Sequence, residues 1–438
     1  MARRGDPKIG VALAGGGPLG SIYEIGALVA LQEAFDGVDF TQCHATVGVS
    51  AGAFIASSLA NGLTPRDLCA RFIESEDHAE PFEPDFLMRP ALAEYARRLA
   101  RLPDLALGAF SAWFDRSAAA YSTRGFFEAV QGFTRALPNG VFDNDAGAAY
   151  LAKMFGRSGR TNDFRELRHR LFIVATDLDS AEAVVFGSPG YDDMPISEAI
   201  KASSALPGLY PPARIGERDY VDGALKKTLH ASVALKAGAK LLVCINPLVP
   251  FNARLASGEG RRAPKRLADE GLVTVLSQTF RALIQSRMKV GMERYAHDFP
   301  DADILLFEPA RDDETIFFAN VFSYADRRRL AEHAYSHTRA ELRRRATELE
   351  PVLAHHGVRL DHAALADPER RLIAAPGKPA EGLAAETRRL STALGRLDHA
   401  LAQGGRARSR DRIAKSGRKA DGGKAEKKDA RAHSRDGA

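Results

Sequence analysis

The stretch Ala45-Thr46-Val47-Gly48-Val49-Ser50-Ala51-Gly52-Ala53-Phe54-Ile55-Ala56 constrains this chain more than any other. Its apolar, β-branched first half predicts a buried strand, and the Ala-rich pattern leaving Gly52 predicts a helix. Gly-x-Ser-x-Gly between them places Ser50 at the apex of a sharp strand-to-helix turn. Gly48 and Gly52 carry no side chain, so strand and helix can approach closely. A serine there sits at a helix start, where free N–H groups favour developing negative charge. With 38 glycines in the chain, the bare pentapeptide arises by chance roughly 0.2 times. The flanking strand and helix therefore carry the inference; without them Ser50 is a serine in an ordinary strand–helix connection.

A second turn of this kind lies upstream. Ile9-Gly10-Val11-Ala12-Leu13-Ala14 predicts a buried strand that runs into Gly15-Gly16-Gly17-Pro18-Leu19-Gly20. A helix follows with Ile22, Ile25, Leu28, Val29 and Leu31 on roughly one face. Backbone N–H groups converge on an anion in such loops. Three readings stand: a dinucleotide fingerprint, an oxyanion loop serving Ser50, or a tight turn. The first expects a strand ending in an acid about 20 residues on, whereas Phe35-Asp36-Gly37-Val38-Asp39-Phe40 reads as a loop. A P-loop is excluded because no Gly-Lys-Ser/Thr follows.

At 438 residues the chain is long for one domain, and 45% apolar with 27% charged residues is ordinary for a globular protein. Cys43, Cys69 and Cys244 are odd in number and lack C-x-x-C spacing, which points to a reducing compartment and leads to the expectation of no structural zinc. No signal-peptide core opens the sequence and no apolar run reaches the ~18 residues of a membrane span. A cytoplasmic protein is expected. The tail 403–438 holds 12 Lys/Arg against 5 Asp/Glu, an excess larger than the +5 of the whole chain, so the body is slightly acidic. With a single β-branched residue and no aromatics, the tail is expected to be disordered, and its cations can touch anionic lipid or nucleic acid.

Residues 65–165 are broken by prolines and rich in aromatics such as Phe82, Phe86, Trp113 and Phe127. They read as a helical layer on the sheet, or as a cap whose apolar inner surface receives acyl chains. His78, beside Glu76 and Asp77, reads as a surface histidine. Alternating α/β character returns with a strand over 171–178, a second over Ala183–Phe186 that pairs with it, a helix over Ile196–Ala205 and a strand over Lys240–Asn246. Asp222 follows Tyr220-Val221 and precedes Gly223, at a strand end; in isolation this is an Asp-Gly turn. Beyond 252 the pattern predicts helices over 267–297, 324–350 and 383–401, with a strand at Ile304–Phe307.

Ester hydrolysis by a serine needs a nucleophile, a proton acceptor and N–H donors for the oxyanion. Ser50 supplies the first and Gly15–Gly17 can supply the third. Histidine is the usual acceptor, and His230 is the nearest candidate, yet Asp222 sits at the right kind of position. A carboxylate in that role needs partial desolvation to raise its basicity.

Together, Gly15-Gly-Gly-Pro-Leu-Gly20, Gly48-Val-Ser-Ala-Gly52, Ala175-Thr-Asp-Leu178, Ser203-Ser-Ala-Leu-Pro207 with Tyr210-Pro-Pro212, and Asp222-Gly-Ala224 resemble the patatin-like phospholipases over residues 9–250. The resemblance implies a three-layer α/β/α sandwich with a mostly parallel sheet, and metal- and cofactor-free hydrolysis of acyl esters by a Ser50–Asp222 dyad. By position, the Gly15, Gly16 and Gly17 amides form the oxyanion hole, and Gly20, Gly48, Gly52 and Gly223 are motif glycines. The family usually carries Arg or Lys where this chain has Leu19, so a helping charge is lost. The expectation is a lipid acyl hydrolase of phospholipase A or lysophospholipase type, with peripheral membrane contact. The alternative is a catalytically weak lipid-binding protein of the same fold. Residues 252–402 are expected as a mainly helical C-terminal extension, and the sequence leaves the oligomeric state open.

Overall fold

The computed structural model describes residues 8–74, 89–91, 95, 139–256, 266–319 and 326–373. The chain divides into two units, Met1–Ile373 and Ala374–Ala438, and the architecture below is that of the first. The aromatic residues of 82–127, His78, the helix expected over 383–401 and the basic tail lie outside the described residues.

The strands are β1 (Ile9–Leu13), β2 (Phe35–Asp36), β3 (Ala45–Val49), β4 (Arg170–Asp177), β5 (Ala183–Phe186), β6 (Ala213–Ile215), β7 (Arg218–Asp222), β8 (Leu241–Ile245), β9 (Asp303–Phe307) and β10 (Arg359–Leu360). β1, β3 and β8 are buried at every position. Such continuous apolar runs mark strands covered on both faces. They form the centre of one sheet in the order β6-β7-β4-β3-β1-β8-β9, with β5 also on β4. β4, β3, β1, β8 and β9 run parallel, whereas β5 and β7 pair antiparallel with β4, and β6 pairs antiparallel with β7.

Alternate residues of each central strand feed two cores. Ile9, Val11, Leu13, Ile173 and Val243 join the helices α1 (Gly17–Ala34) and α2 (Ala51–Ala60), together with helices Asp145–Phe155, Ile196–Ser203 and Arg327–Arg344. Ala12, Val47, Val174 and Cys244 face helix Ala231–Lys236 and the end of helix Leu272–Asp298, around Tyr295. Three layers result, α/β/α. Among the described residues no helix is long and apolar enough to cross a membrane.

Two features differ from the sequence pattern. α1 is not amphipathic: Leu19 through Leu31 are buried almost throughout, except Ser21. Helix Arg327–Arg344 covers its outer side, and Gly26 permits the contact, since a Cβ there would lie 2.4 Å from the Ala331 carbonyl oxygen. The segment 35–40 is only partly a loop, because Phe35 and Asp36 pair antiparallel with Leu360 and Arg359. The described residues between 252 and 373 thus belong to the first unit, β9 extending the sheet beside β8.

Candidate active site

Ser50 joins β3 to α2 with φ 53° and ψ −121°, a left-handed conformation that costs a non-glycine residue about 1–3 kcal/mol. The surrounding backbone enforces it. A Cβ on Gly48 would lie 2.5 Å from both the Gly52 carbonyl oxygen and the Ala53 Cα, and one on Gly52 would lie 2.5 Å from the Leu13 carbonyl oxygen. The Ser50 N–H donates to Ser203 Oγ at 2.8 Å, and that hydroxyl donates to the Val174 carbonyl at 2.6 Å. The turn is therefore pinned to β4 through Ser203, the first residue of Ser203-Ser-Ala-Leu-Pro207.

Sheet register brings in the acid. β3 pairs with β4 up to Val49 opposite Val174, and β7 takes over the same edge with Asp222 opposite Ala175. β5 occupies the other edge. The ends of β3 and β7 consequently abut, and Ser50 Oγ donates to Asp222 Oδ2 at 2.6 Å. Asp222 Oδ1 accepts from the Ala224 N–H at 2.8 Å, while the Asp222 N–H donates to the Ala205 carbonyl at 3.0 Å. Burial pushes the Asp222 carboxyl up to about 6, against the lowering effect of the bonds from Ser50 and Ala224. Its basicity is raised, yet at neutral pH it remains ionised.

His230 does not compete for this role. It is buried, its ring bonds to the Gly223 backbone, and its Nε2 has no partner. Burial and the nearby Lys227 hold it down at about 4, so it is neutral. Its place is beneath the turn that carries Asp222.

The glycine loop lies over Ser50. A Cβ on Gly15 would come 3.2 Å from the Ser50 Cβ and 3.1 Å from the Ala224 Cβ. The Gly15 N–H is engaged, donating to the Thr228 carbonyl at 3.3 Å. Among the described residues nothing accepts from the N–H of Gly16, Gly17 or Ala51. Gly17 has φ 60°, and Gly16 is held against Gly20 and Pro247, where a Cβ would approach to 2.8 Å. Leu19 is buried in the core and brings no charge. β3, the next long strand after α1, ends in the serine turn rather than in an acid, which removes the basis for a dinucleotide fingerprint.

A family model of patatin-like phospholipase matches residues 11–235, just over half of the chain. The chain belongs to the patatin-like phospholipase family. Lipid-ester hydrolysis is the activity of this family, and the motifs of both glycine turns, Ser50 and Asp222 fall inside the matched span. Among solved structures the chain is similar to VipD from Legionella pneumophila, at 16% identity and a TM-score of 0.33, with 75% of this chain and 67% of that one covered. It is also similar to the type III effector protein ExoU, at 15% identity and a TM-score of 0.32, with 78% and 53% covered. The chain thus spans about half the length of ExoU. A third similar structure is that of ExoU with SpcU from Pseudomonas aeruginosa, at 16% identity and a TM-score of 0.26, with 68% and 53% covered.

Sequence reasoning did not assign roles to Ser203, the Ala205 carbonyl or the Thr228 carbonyl. Ser203 and Ala205 lie in a motif that marked the family, but nothing in the motif says which backbone groups they hold. A cavity of about 220 Å³ lies beside the Asp222 turn, with Ala224 and Thr228 on one side and Phe280, Ile284, Met288 and Met292 on the other. Its far wall comes from helix Leu272–Asp298, beyond the matched span. Ser50 is not part of its lining.

Proposed function

We propose that this protein is a serine acyl hydrolase that cleaves lipid acyl esters through Ser50 and Asp222, with phospholipase A or lysophospholipase type activity. The observation that carries the reading is the 2.6 Å hydrogen bond between a strained, turn-borne serine and a buried carboxylate. Asp222 takes the Ser50 proton as Oγ attacks the ester carbonyl. The oxyanion forms next to the glycine loop, where the free N–H groups of Gly16 and Gly17 are the donors, with Ala51 at the start of α2. Gly15 contributes space: without a side chain it leaves room above Ser50. Asp222 returns the proton to the leaving alkoxide, and water repeats the sequence on the acyl-enzyme. The cavity beside the Asp222 turn, mostly apolar but with Lys226, Lys227 and Arg287 also in its lining, suits an acyl chain. Leu276, Leu283 and Val290, exposed on the helix that walls it, suit contact with a lipid surface.

The test is fluorophosphonate labelling together with hydrolysis of short-chain and phospholipid esters. Wild type is expected to label on Ser50 and to turn over. Ser50→Ala is expected to be silent in both assays, and Asp222→Asn to lose about 10⁴-fold in kcat. A wild type as inert as Ser50→Ala on every ester would overturn the reading and favour a lipid-binding role.

A further inference from the structure

We propose that Asp303, His355 and His356 form a binding site for a zinc-class divalent cation, on the side of the sheet away from the serine turn. His356 Nε2 lies 2.7 Å and His355 Nδ1 3.5 Å from Asp303 Oδ2. The three ligand atoms all fall within 4.8 Å of one another. A tetrahedral zinc with bonds of about 2.0–2.2 Å separates its ligands by about 3.3–3.6 Å. The observed 2.7 and 3.5 Å lie below and within that range, so side-chain movements well under a residue's width bring all three donors onto one ion.

The backbone explains why neighbouring histidines converge. His355 ends helix Ala346–His355, His356 caps it, and Gly357 follows with φ 75°. In a continuing helix adjacent side chains diverge by about 100°. The chain turns here instead, and the two rings sit 4.8 Å apart facing the same carboxylate. As an ion pair alone, His355 gains little, since its side chain is 75% exposed and its partner already accepts from His356. Two imidazoles and one carboxylate match zinc, or nickel, copper and cobalt, and not the all-oxygen shells of calcium and magnesium. The exposed side of His355 leaves the remaining positions to water.

Asp303 is opposite Leu241, which pairs with Ile9, so the cluster lies at the start of the parallel strands, whereas Ser50 lies at their end. The ion is therefore structural. It ties helix Ala346–His355 to β9, the last strand of the sheet on that side.

The experiment uses the full chain stripped with EDTA and titrated with Zn²⁺ by calorimetry, and with Co²⁺ by visible absorption. One Zn²⁺ per chain is expected, with an intense tetrahedral Co²⁺ spectrum and a melting temperature a few degrees higher on loading. His355→Ala and Asp303→Asn, both at solvent-accessible positions, are expected to weaken binding by at least about tenfold and to abolish the shift. His356→Gln is the third variant, retained only if it folds. Ester hydrolysis is expected to be indifferent to EDTA. Equal zinc uptake by wild type and His355→Ala, or a Co²⁺ spectrum like that of the aquated ion, would overturn the proposal.

Discussion

In the proposed dyad, Asp222 meets two opposed demands at the scale of a single residue. It must be buried to be basic, and burial makes its charge costly. With the carboxyl at about 6, kcat/KM is expected to rise with unit slope up to about pH 6 and then stay level, as measured in a pH–rate profile. The same shift has a cost in stability. Because the folded-state value is raised above that of the unfolded chain, Asp222 favours folding only at low pH, and the benefit is lost as pH rises through about 6. A shift of about two units corresponds to roughly 3 kcal/mol. Asp222→Asn is therefore expected to be about 1–3 kcal/mol more stable than wild type at pH 8, with no gain at pH 4, in urea titrations at both values.

At the scale of the element, the two glycine turns are built for different reasons and should fail differently. Gly48 faces backbone: a methyl there meets the Gly52 carbonyl oxygen and Ala53 Cα at 2.5 Å, so β3 and α2 must separate. Gly48→Ala is expected to lose about 2–4 kcal/mol of stability, and labelling with it. Gly15 faces side chains at 3.1–3.2 Å, which can give by a few tenths of an ångström. Gly15→Ala is expected to melt within a few degrees of wild type, while kcat/KM falls about 10- to 100-fold because the methyl crowds the carbonyl above Ser50. Parallel measurement of melting and ester turnover separates the two. The sequence made both turns legible through their glycines, because a missing side chain leaves a local mark. Taken residue by residue it offered both His230 and Asp222 as proton acceptor, and the family resemblance chose Asp222. The burial of His230 under the Asp222 turn supports that choice, and burial is not a local property.

For the whole molecule, the C-terminal helices complete the fold rather than decorate it. α1 is sealed on its outer side by helix Arg327–Arg344, whose Ala331 carbonyl approaches Gly26. Gly26→Ala adds about 1 kcal/mol of helix propensity, yet the added Cβ would sit 2.4 Å from that oxygen, and overpacking costs about 1–3 kcal/mol. The clash is expected to win: a net loss of about 1–2 kcal/mol, read as a lower urea midpoint than wild type.

Local residue choice determined the strands at β1, β3, β4 and β8, the two glycine turns and the nucleophile candidate, because each depends on neighbours in sequence: apolar runs, absent Cβ atoms, a serine between glycines. Contact between Ser50 and Asp222, 172 positions apart, depends on β3 and β7 sharing one edge of β4. The burial of α1 on both sides, the engaged Gly15 N–H and the meeting of Asp303 with His355 and His356 likewise depend on partners remote in the chain. No periodicity records which segment will lie across from another; packing decides it, and the tertiary structure alone holds that answer.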